Sequence, residues 1–177
     1  TGSFPGANIA LLSACKASNI HPVIISSIGS SEWGANKLDR TWIDIEKTLD
    51  SNFRSVAVSL GGDQDIAEEL SDETKGVLKQ KINQNEYSFI YESDLQLSID
   101  TRMKIYNSIS KNYKAYVTIG GSAASLGDSS TLKLYLPGLI NSKDSTIVDA
   151  LDEDLIEEEF DFVVPVTEKF LEELKIP

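Results

Sequence analysis

The sequence is poor in the residues that most often carry catalysis or cross-links. Its 177 residues include one cysteine, Cys15, and one histidine, His21. A single cysteine excludes an intrachain disulfide, and the apolar neighbours of Cys15 predict a buried position on a helix. His21 precedes a predicted strand, which places it at the edge of a sheet opposite the helix starts. The sequence therefore argues against a histidine-based catalytic triad and against a histidine metal cluster.

Positive charge is scarce as well. Sixteen lysines and arginines stand against 28 aspartates and glutamates, a formal net charge of -12. Nucleic acids and anionic membrane surfaces both attract basic proteins, so this balance argues against either as a partner. A bound anion would need a local pocket whose charge overrides the field of the whole chain.

Long hydrophobic runs and nucleotide motifs are also lacking. No apolar run approaches the roughly eighteen residues that a membrane-spanning helix needs, and no signal peptide pattern is present. The Walker loop, the dinucleotide glycine fingerprint and the Gly-x-Ser-x-Gly nucleophile elbow are missing. The acidic stretch 149–161 lacks the spacing of a calcium loop. The sequence predicts no cofactor and no metal.

Short apolar runs alternate with segments of helical periodicity. The runs, each a predicted strand, are 22–28, 55–60, 87–91, 115–119 and 161–166. The helical patterns cover 9–16, 41–49, 66–82 with a break near Ser71, 99–109, 147–155 and 170–174, while 131–144 is ambiguous and resembles a half-exposed strand. Such alternation is typical of parallel sheets with right-handed crossovers. We predict one α/β domain over 1–177, with three layers (α/β/α) and a mostly parallel sheet.

The start of the chain leads straight into a predicted helix, which is where a chain normally goes after a strand. We therefore expect that an N-terminal strand of this domain lies outside the chain, which would then be a fragment of a longer protein; the alternative is that another segment supplies this strand.

Small polar residues follow the predicted strands. Because the carboxyl ends of parallel strands share one edge of a sheet, these segments are expected to form a common rim, where ligands of such folds bind. Glycines and helix starts there favour a carboxylate or a phosphate. The alternative is that they only build turns and helix caps. The residues predicted to bind an anionic ligand are Gly2, Ser3, Asn8, Gly29, Ser30, Asn36, Gly61, Gly62, Gly120, Gly121 and Ser122.

Two parts of this rim are similar in sequence. GSFPGAN at 2–8 and GSSEWGAN at 29–36 both begin with Gly-Ser and end with Gly-Ala-Asn. Their starts are about one βα unit apart, so each is expected at or just before the start of a helix. Chance similarity between short loops is the alternative. We call them the first and the second Gly-Ala-Asn segment.

Several chemistries are compatible with the residues of the rim. A serine nucleophile without histidine needs another base; the candidate serines are Ser3, Ser30 and Ser122, and the candidate bases are Lys37, Asp63, Glu92 and Asp94. Carboxylates at 63, 65 and 128 have the chemistry of oxygen ligands for a metal, although turn and capping roles fit them better. Arg102, one of three arginines beside Arg40 and Arg54, is either a carboxylate clamp or a surface ion-pair partner of Asp94 or Asp100.

The order of several segments resembles the poly-γ-glutamate system proteins, a family encoded beside bacterial genes for polyglutamate synthesis or export. These segments are TGSFPGANIALLSACKA, HPVIISSIGSSEWGAN, TWIDIEKTL, SIDTRMKIY and IGGSAASLG, and the similarity runs from Thr1 to about Gly127. The resemblance implies a larger parent protein, tethered to the membrane by an N-terminal segment outside this chain and located in the bacterial cell envelope, outside the cytoplasm. It supplies no catalytic residues.

Three functions follow from the residues and the resemblance together. The first is an accessory domain of poly-γ-glutamate biosynthesis or export that binds a γ-glutamyl carboxylate at the rim. The second is a serine-dependent hydrolase or transferase of γ-glutamyl amide bonds. The third is a structural partner of synthase or export subunits with no small-molecule site.

Overall fold

A computed structural model of the chain describes residues 2–30, 33–92, 94–120 and 123–126, together with two short strands at 138–140 and 163–165. The helices are α1 (Pro5–Ala17), α2 (Trp42–Glu46), α3 (Asp72–Gln84), α4 (Leu95–Ile109) and α5 (Ala123–Leu126), with a 3₁₀ turn at Ser51–Phe53. The strands are β1 (Ile25–Ser27), β2 (Ala57–Ser59), β3 (Ser88–Ile90), β4 (Gly138–Ile140) and β5 (Val163–Pro165).

The sheet confirms the predicted α/β fold. Strands β1, β2 and β3 pair in parallel in that order, and β4 pairs in parallel with β5 in a separate two-stranded sheet. Within the larger sheet Ser26, Val58 and Phe89 lie in register. Because paired residues of a parallel ladder point to the same face, this register sorts the side chains into two layers.

Helices cover both faces of the three-stranded sheet. Val58 belongs to the hydrophobic core together with Leu12 of α1, Ile43 of α2 and Ile82 of α3. The next residue, Ser59, points the other way and contacts Arg102 of α4. The first three helices therefore pack on one face, and α4 packs on the other.

Helix ends follow the local sequence. Pro5 begins α1, where its missing N–H costs nothing. Ser71 caps α3 by accepting a hydrogen bond from the backbone N–H of Thr74 at 3.2 Å, which confirms the predicted break near this residue. Asp94 caps α4 in the same way through the N–H of Leu97, at 3.1 Å.

The predicted strand at 115–119 is wrong, because this segment lies in irregular structure. Its Tyr116 hydroxyl donates to the carbonyl of Ser125 at 2.8 Å, and its ring meets that of Tyr106 edge-on. Contacts with α4 and α5 thus hold the segment, although its short apolar run favours a strand. The predicted helix at 66–82 is also too long at its start, since 66–70 forms a loop.

Other predictions fall on residues outside the described part of the chain, namely the helices at 147–155 and 170–174 and the segment 131–137. The single-domain boundary and the strand preceding Gly2 stay predictions as well.

Cys15 lies half-buried on α1, and burial raises the pKa of its thiol. Among the helices that the structure describes, none is long and apolar enough to cross a lipid bilayer.

Candidate functional site

The two Gly-Ala-Asn segments meet at the carboxyl end of β1. The backbone N–H of Ala35 donates to the carbonyl of Gly2 at 2.8 Å, and the N–H of Gly2 donates to the carbonyl of Ser27 at 2.9 Å. The hydroxyls of Ser3 and Ser30 are 3.3 Å apart. The structure therefore brings together four of the predicted rim residues, Gly2, Ser3, Gly29 and Ser30.

The shared triplet adopts two different conformations. Gly6 to Asn8 lies inside the first turns of α1, where buried Asn8 donates from Nδ2 to the carbonyl of Phe4 at 3.0 Å. Gly34 to Asn36 is a loop, and Gly34 has a φ of 74°. A side chain on Gly34 would approach the carbonyl of Ser3 to 2.4 Å. The two segments therefore share sequence and place, but their Gly-Ala-Asn triplets differ in backbone structure.

Glycines at the rim pack against protein atoms. A Cβ on Gly29 would lie 2.3 Å from the carbonyl oxygen of Leu60, and Gly61 and Gly62 have φ angles of 87° and 82°. Gly120 has a φ of 92°, while Gly121 and Ser122 lie outside the described residues. These glycines allow the loops to approach one another closely, and their role in binding a ligand stays a prediction.

The loop after β2 folds over the sheet edge and is held by a buried ion pair. Arg102 donates from Nη2 to both carboxylate oxygens of Asp65, each at 2.8 Å. The Arg102 side chain is 8% exposed and that of Asp65 is 1% exposed. The predicted partners of Arg102 are therefore wrong: Asp94 caps α4 and Asp100 accepts from Gln96. The helical position of Arg102 turns its side chain toward the sheet, away from those exposed carboxylates.

Two hydroxyls complete the surroundings of Asp65. Ser59 donates to Asp65 Oδ1 at 2.7 Å and accepts from Arg102, and Ser98 donates to Oδ2. The guanidinium thus occupies the place that a cation would take on this carboxylate. In the described part of the chain, no group of three or more histidine, cysteine or acidic side chains is placed to share a metal ion.

A second buried carboxylate, Glu46, went unnoticed in the sequence. Its Oε1 accepts from Trp42 Nε1 at 3.0 Å and from Ser55, and its Oε2 accepts from Tyr87 at 2.7 Å. Burial and the neighbouring Glu46 raise the pKa of the Tyr87 hydroxyl. The signal available in the sequence was the spacing of Trp42 and Glu46, four residues apart on one helix face.

The rim serines lack an obvious base. Ser30 donates to the carbonyl of Trp33 and lies beside Ser3. Of the predicted bases, Glu92 accepts from Thr101 at 3.2 Å and Asp94 caps α4. Among the residues that the structure describes, no carboxylate or amine hydrogen-bonds to Ser3 or Ser30. The pair alone does not provide the activation that a serine nucleophile needs.

A cleft of about 230 Å³ opens beside the two segments. Its lining residues are Pro5, Gly34, Ala35, Asn36, Lys37, Arg40 and Ile45. It joins the start of α1 to the second Gly-Ala-Asn segment and to the turn at 37–40, where the N–H of Arg40 donates to the carbonyl of Lys37 at 2.9 Å. Asn36 is the predicted site residue that lines it.

Two cations line this cleft. Both Lys37 and Arg40 are exposed, and within the described residues neither forms an ion pair. Lys81 of α3 holds the turn between them, donating from Nζ to the carbonyl of Leu38 at 2.6 Å and to the carboxylate of Asp44. Lys37 is one of the predicted bases, whereas Arg40 has no predicted role; the signal in the sequence is their spacing, three residues apart.

Asp44 anchors this turn through Lys81. Burial opposes ionisation of the carboxyl, but hydrogen bonds from Lys81 and Thr41 outweigh it, so the pKa of Asp44 is lowered. The N–H of Thr41 donates to the same carboxylate at 2.8 Å, as expected of a capping box at the start of α2.

Comparisons with protein-family models, with curated proteins and with solved structures found no match to this chain. The resemblance to poly-γ-glutamate system proteins therefore stays a prediction.

Proposed function

We propose that this domain binds carboxylates of a γ-glutamyl ligand in the cleft between Lys37 and Arg40, as an accessory domain of a poly-γ-glutamate biosynthesis or export system. The observation that carries the proposal is the placement of these two cations in one cleft of a chain with net charge -12. A local concentration of positive charge is what an anion needs to approach an acidic protein.

The donors of the cleft suit carboxylates. The planar guanidinium of Arg40 offers a pair of parallel N–H donors to one carboxylate, and the ammonium of Lys37 acts as a point charge beside it. Pro5 lines the same cleft at the start of α1, where the helix carries partial positive charge. No acidic residue lies in the first turn of α1 to compete with a bound anion.

The proposal also includes a cellular location and protein partners. Following the resemblance, we place the domain in the bacterial cell envelope, tethered outside the cytoplasm by a segment beyond this chain, with synthase or export subunits as protein partners. Affinity capture of the tagged full-length protein from a polyglutamate-producing bacterium tests this part. Recovery of membrane synthase subunits is the expected result.

Calorimetric titration with a γ-linked glutamate tetramer tests the binding site. We expect binding that weakens as salt is added, because exposed charges are screened. Lys37→Gln and Arg40→Gln should each lower the affinity about tenfold, whereas Lys104→Gln should not change it. Lys104 is an exposed lysine of α4, on the opposite side of the sheet. Equal affinities for all three variants would contradict the proposed site.

The same mixtures separate binding from catalysis. After prolonged incubation, chromatography should recover the tetramer intact. If the wild type shortens the tetramer and the Ser3→Ala or Ser30→Ala variant does not, the result would instead favour the serine-dependent hydrolase.

A further inference from the structure

Trp33 is the residue next to Gly34 of the cleft, and its side chain is exposed to solvent. The side chain is 75% exposed, whereas the other tryptophan, Trp42, is 1% exposed and hydrogen-bonded to Glu46. Over residues 33–92 and 94–120, no aromatic ring or cation packs on the Trp33 indole. Within these residues the indole therefore forms no aromatic or cation–π contact, and three quarters of Trp33 is accessible to solvent.

The backbone of Trp33 and of the two residues after it is nevertheless held by contacts. Its carbonyl accepts from the hydroxyl of Ser30. Gly34 packs on the backbone of Ser3, and the N–H of Ala35 donates to Gly2. A large side chain that is exposed on a fixed loop is pre-organised for contact, because little backbone freedom is lost when a ligand binds.

Resting on the proposed function, we infer that Trp33 is a second contact of the cleft and that the ligand is a chain rather than a single small acid. Its carboxylates bind Lys37 and Arg40, and its aliphatic and amide segments pack on the indole. Tryptophan combines a large apolar area with a planar face and is enriched among residues that dominate binding energy.

The spacing allows one extended ligand to reach both residues. Trp33 lies four positions before Lys37, so their Cα atoms are at most about 14 Å apart. A simple dicarboxylic acid can satisfy the two cations of the turn, but it has no remaining length to cover the indole. A γ-linked glutamate chain has both features, since each residue carries a free carboxylate and two methylenes.

Titration with two ligands tests this inference, namely a γ-linked glutamate tetramer and glutarate. In the wild type the tetramer should bind at least about tenfold more tightly, equivalent to ~1.4 kcal/mol. Trp33→Ala should remove most of that difference by weakening the tetramer alone, and Trp33→Phe should restore part of it. Tetramer binding should also shift the emission of the exposed indole to shorter wavelength, with buried Trp42 as an internal reference.

The outcomes separate the inference from the proposed function. If both ligands bind through Lys37 and Arg40 but Trp33→Ala leaves the affinity ratio unchanged, the role of Trp33 is wrong and the carboxylate site stands. If neither ligand binds, or if the Lys37→Gln, Arg40→Gln double variant binds both like the wild type, the proposed site is wrong and the inference falls with it.

Discussion

Arg102 and Asp65, 37 residues apart in the sequence, form a buried ion pair that joins α4 to the loop after β2. Asp65 has a φ of 64°, a left-handed conformation that is uncommon for a residue with a side chain. The hydrogen bonds from Arg102, Ser59 and Ser98 fix this conformation. The pair thus determines the course of the loop that covers the sheet edge.

Removing one partner of this pair should be strongly destabilising. Arg102→Met leaves the carboxylate of Asp65 buried without its cation, so we expect a loss of about 3–5 kcal/mol in the free energy of unfolding. Urea denaturation followed by circular dichroism measures it. Asp63→Asn is the control, since Asp63 is exposed in the same loop and its change should stay within about 0.5 kcal/mol. A similar stability for both variants would contradict the structural role of the pair.

Glu46 should behave as an obligatory acceptor. Its carboxylate receives hydrogen bonds from Trp42, Ser55 and Tyr87. Glu46→Gln places an NH₂ group against one of these donors, so we expect a loss of about 1–3 kcal/mol. Guanidinium titration monitored by Trp42 emission measures this loss. Glu68→Gln, at an exposed position after β2, is the control and should not change the midpoint of the guanidinium titration.

The glycines of the two Gly-Ala-Asn segments should respond in opposite directions to alanine. Gly34→Ala would bring a Cβ to 2.4 Å from the carbonyl of Ser3 at a φ of 74°, so the contact between the segments must shift and the protein loses stability by about 1–3 kcal/mol. Gly6→Ala meets open space in the first turn of α1 and should be neutral or stabilising by up to about 1 kcal/mol. Thermal unfolding of the two variants side by side measures the difference.

Lys81 should affect ligand binding without contacting the ligand. Lys81→Met removes the hydrogen bond to the carbonyl of Leu38, so the turn that carries Lys37 and Arg40 is less well held. We expect an affinity for the γ-linked tetramer lower by about threefold to tenfold, as for one hydrogen bond of ~1 kcal/mol. Lys75→Met on the same helix is the matched control.

Lys81→Met should also change how the stability of the protein depends on acidic pH. The lowered pKa of Asp44 gives stability that is present above its ordinary pKa and is lost as the pH falls through the lowered value. Lys81→Met should therefore lose less stability than the wild type when the pH is lowered below about 4. Parallel curves of urea midpoint against pH would contradict the link between Lys81 and Asp44.

Alkaline pH should destabilise the protein through Tyr106. Burial, with a smaller contribution from Tyr116, raises the pKa of Tyr106 to about 12. The unfolded chain releases this proton near pH 10, whereas the folded chain keeps it, so stability is complete below about pH 10 and falls from there toward pH 12. Urea midpoints between pH 8 and 11 should decline less steeply in Tyr106→Phe than in the wild type; an unchanged slope would assign the decline to other groups.

Local sequence determined the class of the fold and most of its elements. Short apolar runs predicted β1, β2 and β3, and helical periodicity predicted α1, α3 and α4, because each pattern reflects which side chains an element can bury. Ser71 marked a break in a predicted helix because its cap acts within three residues, whereas α4 begins at Leu95, four residues before the predicted start at 99. The sequence alone also established that a bound anion needs a local cationic site, since the net charge is -12.

Only the tertiary structure decided which residues meet. The partner of Arg102, the hold of Lys81 on Leu38 and the contact between the two Gly-Ala-Asn segments join positions at least 27 residues apart. At 115–119 the contacts of Tyr116 with Tyr106 and Ser125 prevailed over a short apolar run that favours a strand. Such contacts depend on how elements pack rather than on the residues within any one element, so the cleft with Lys37 and Arg40 became visible only in three dimensions.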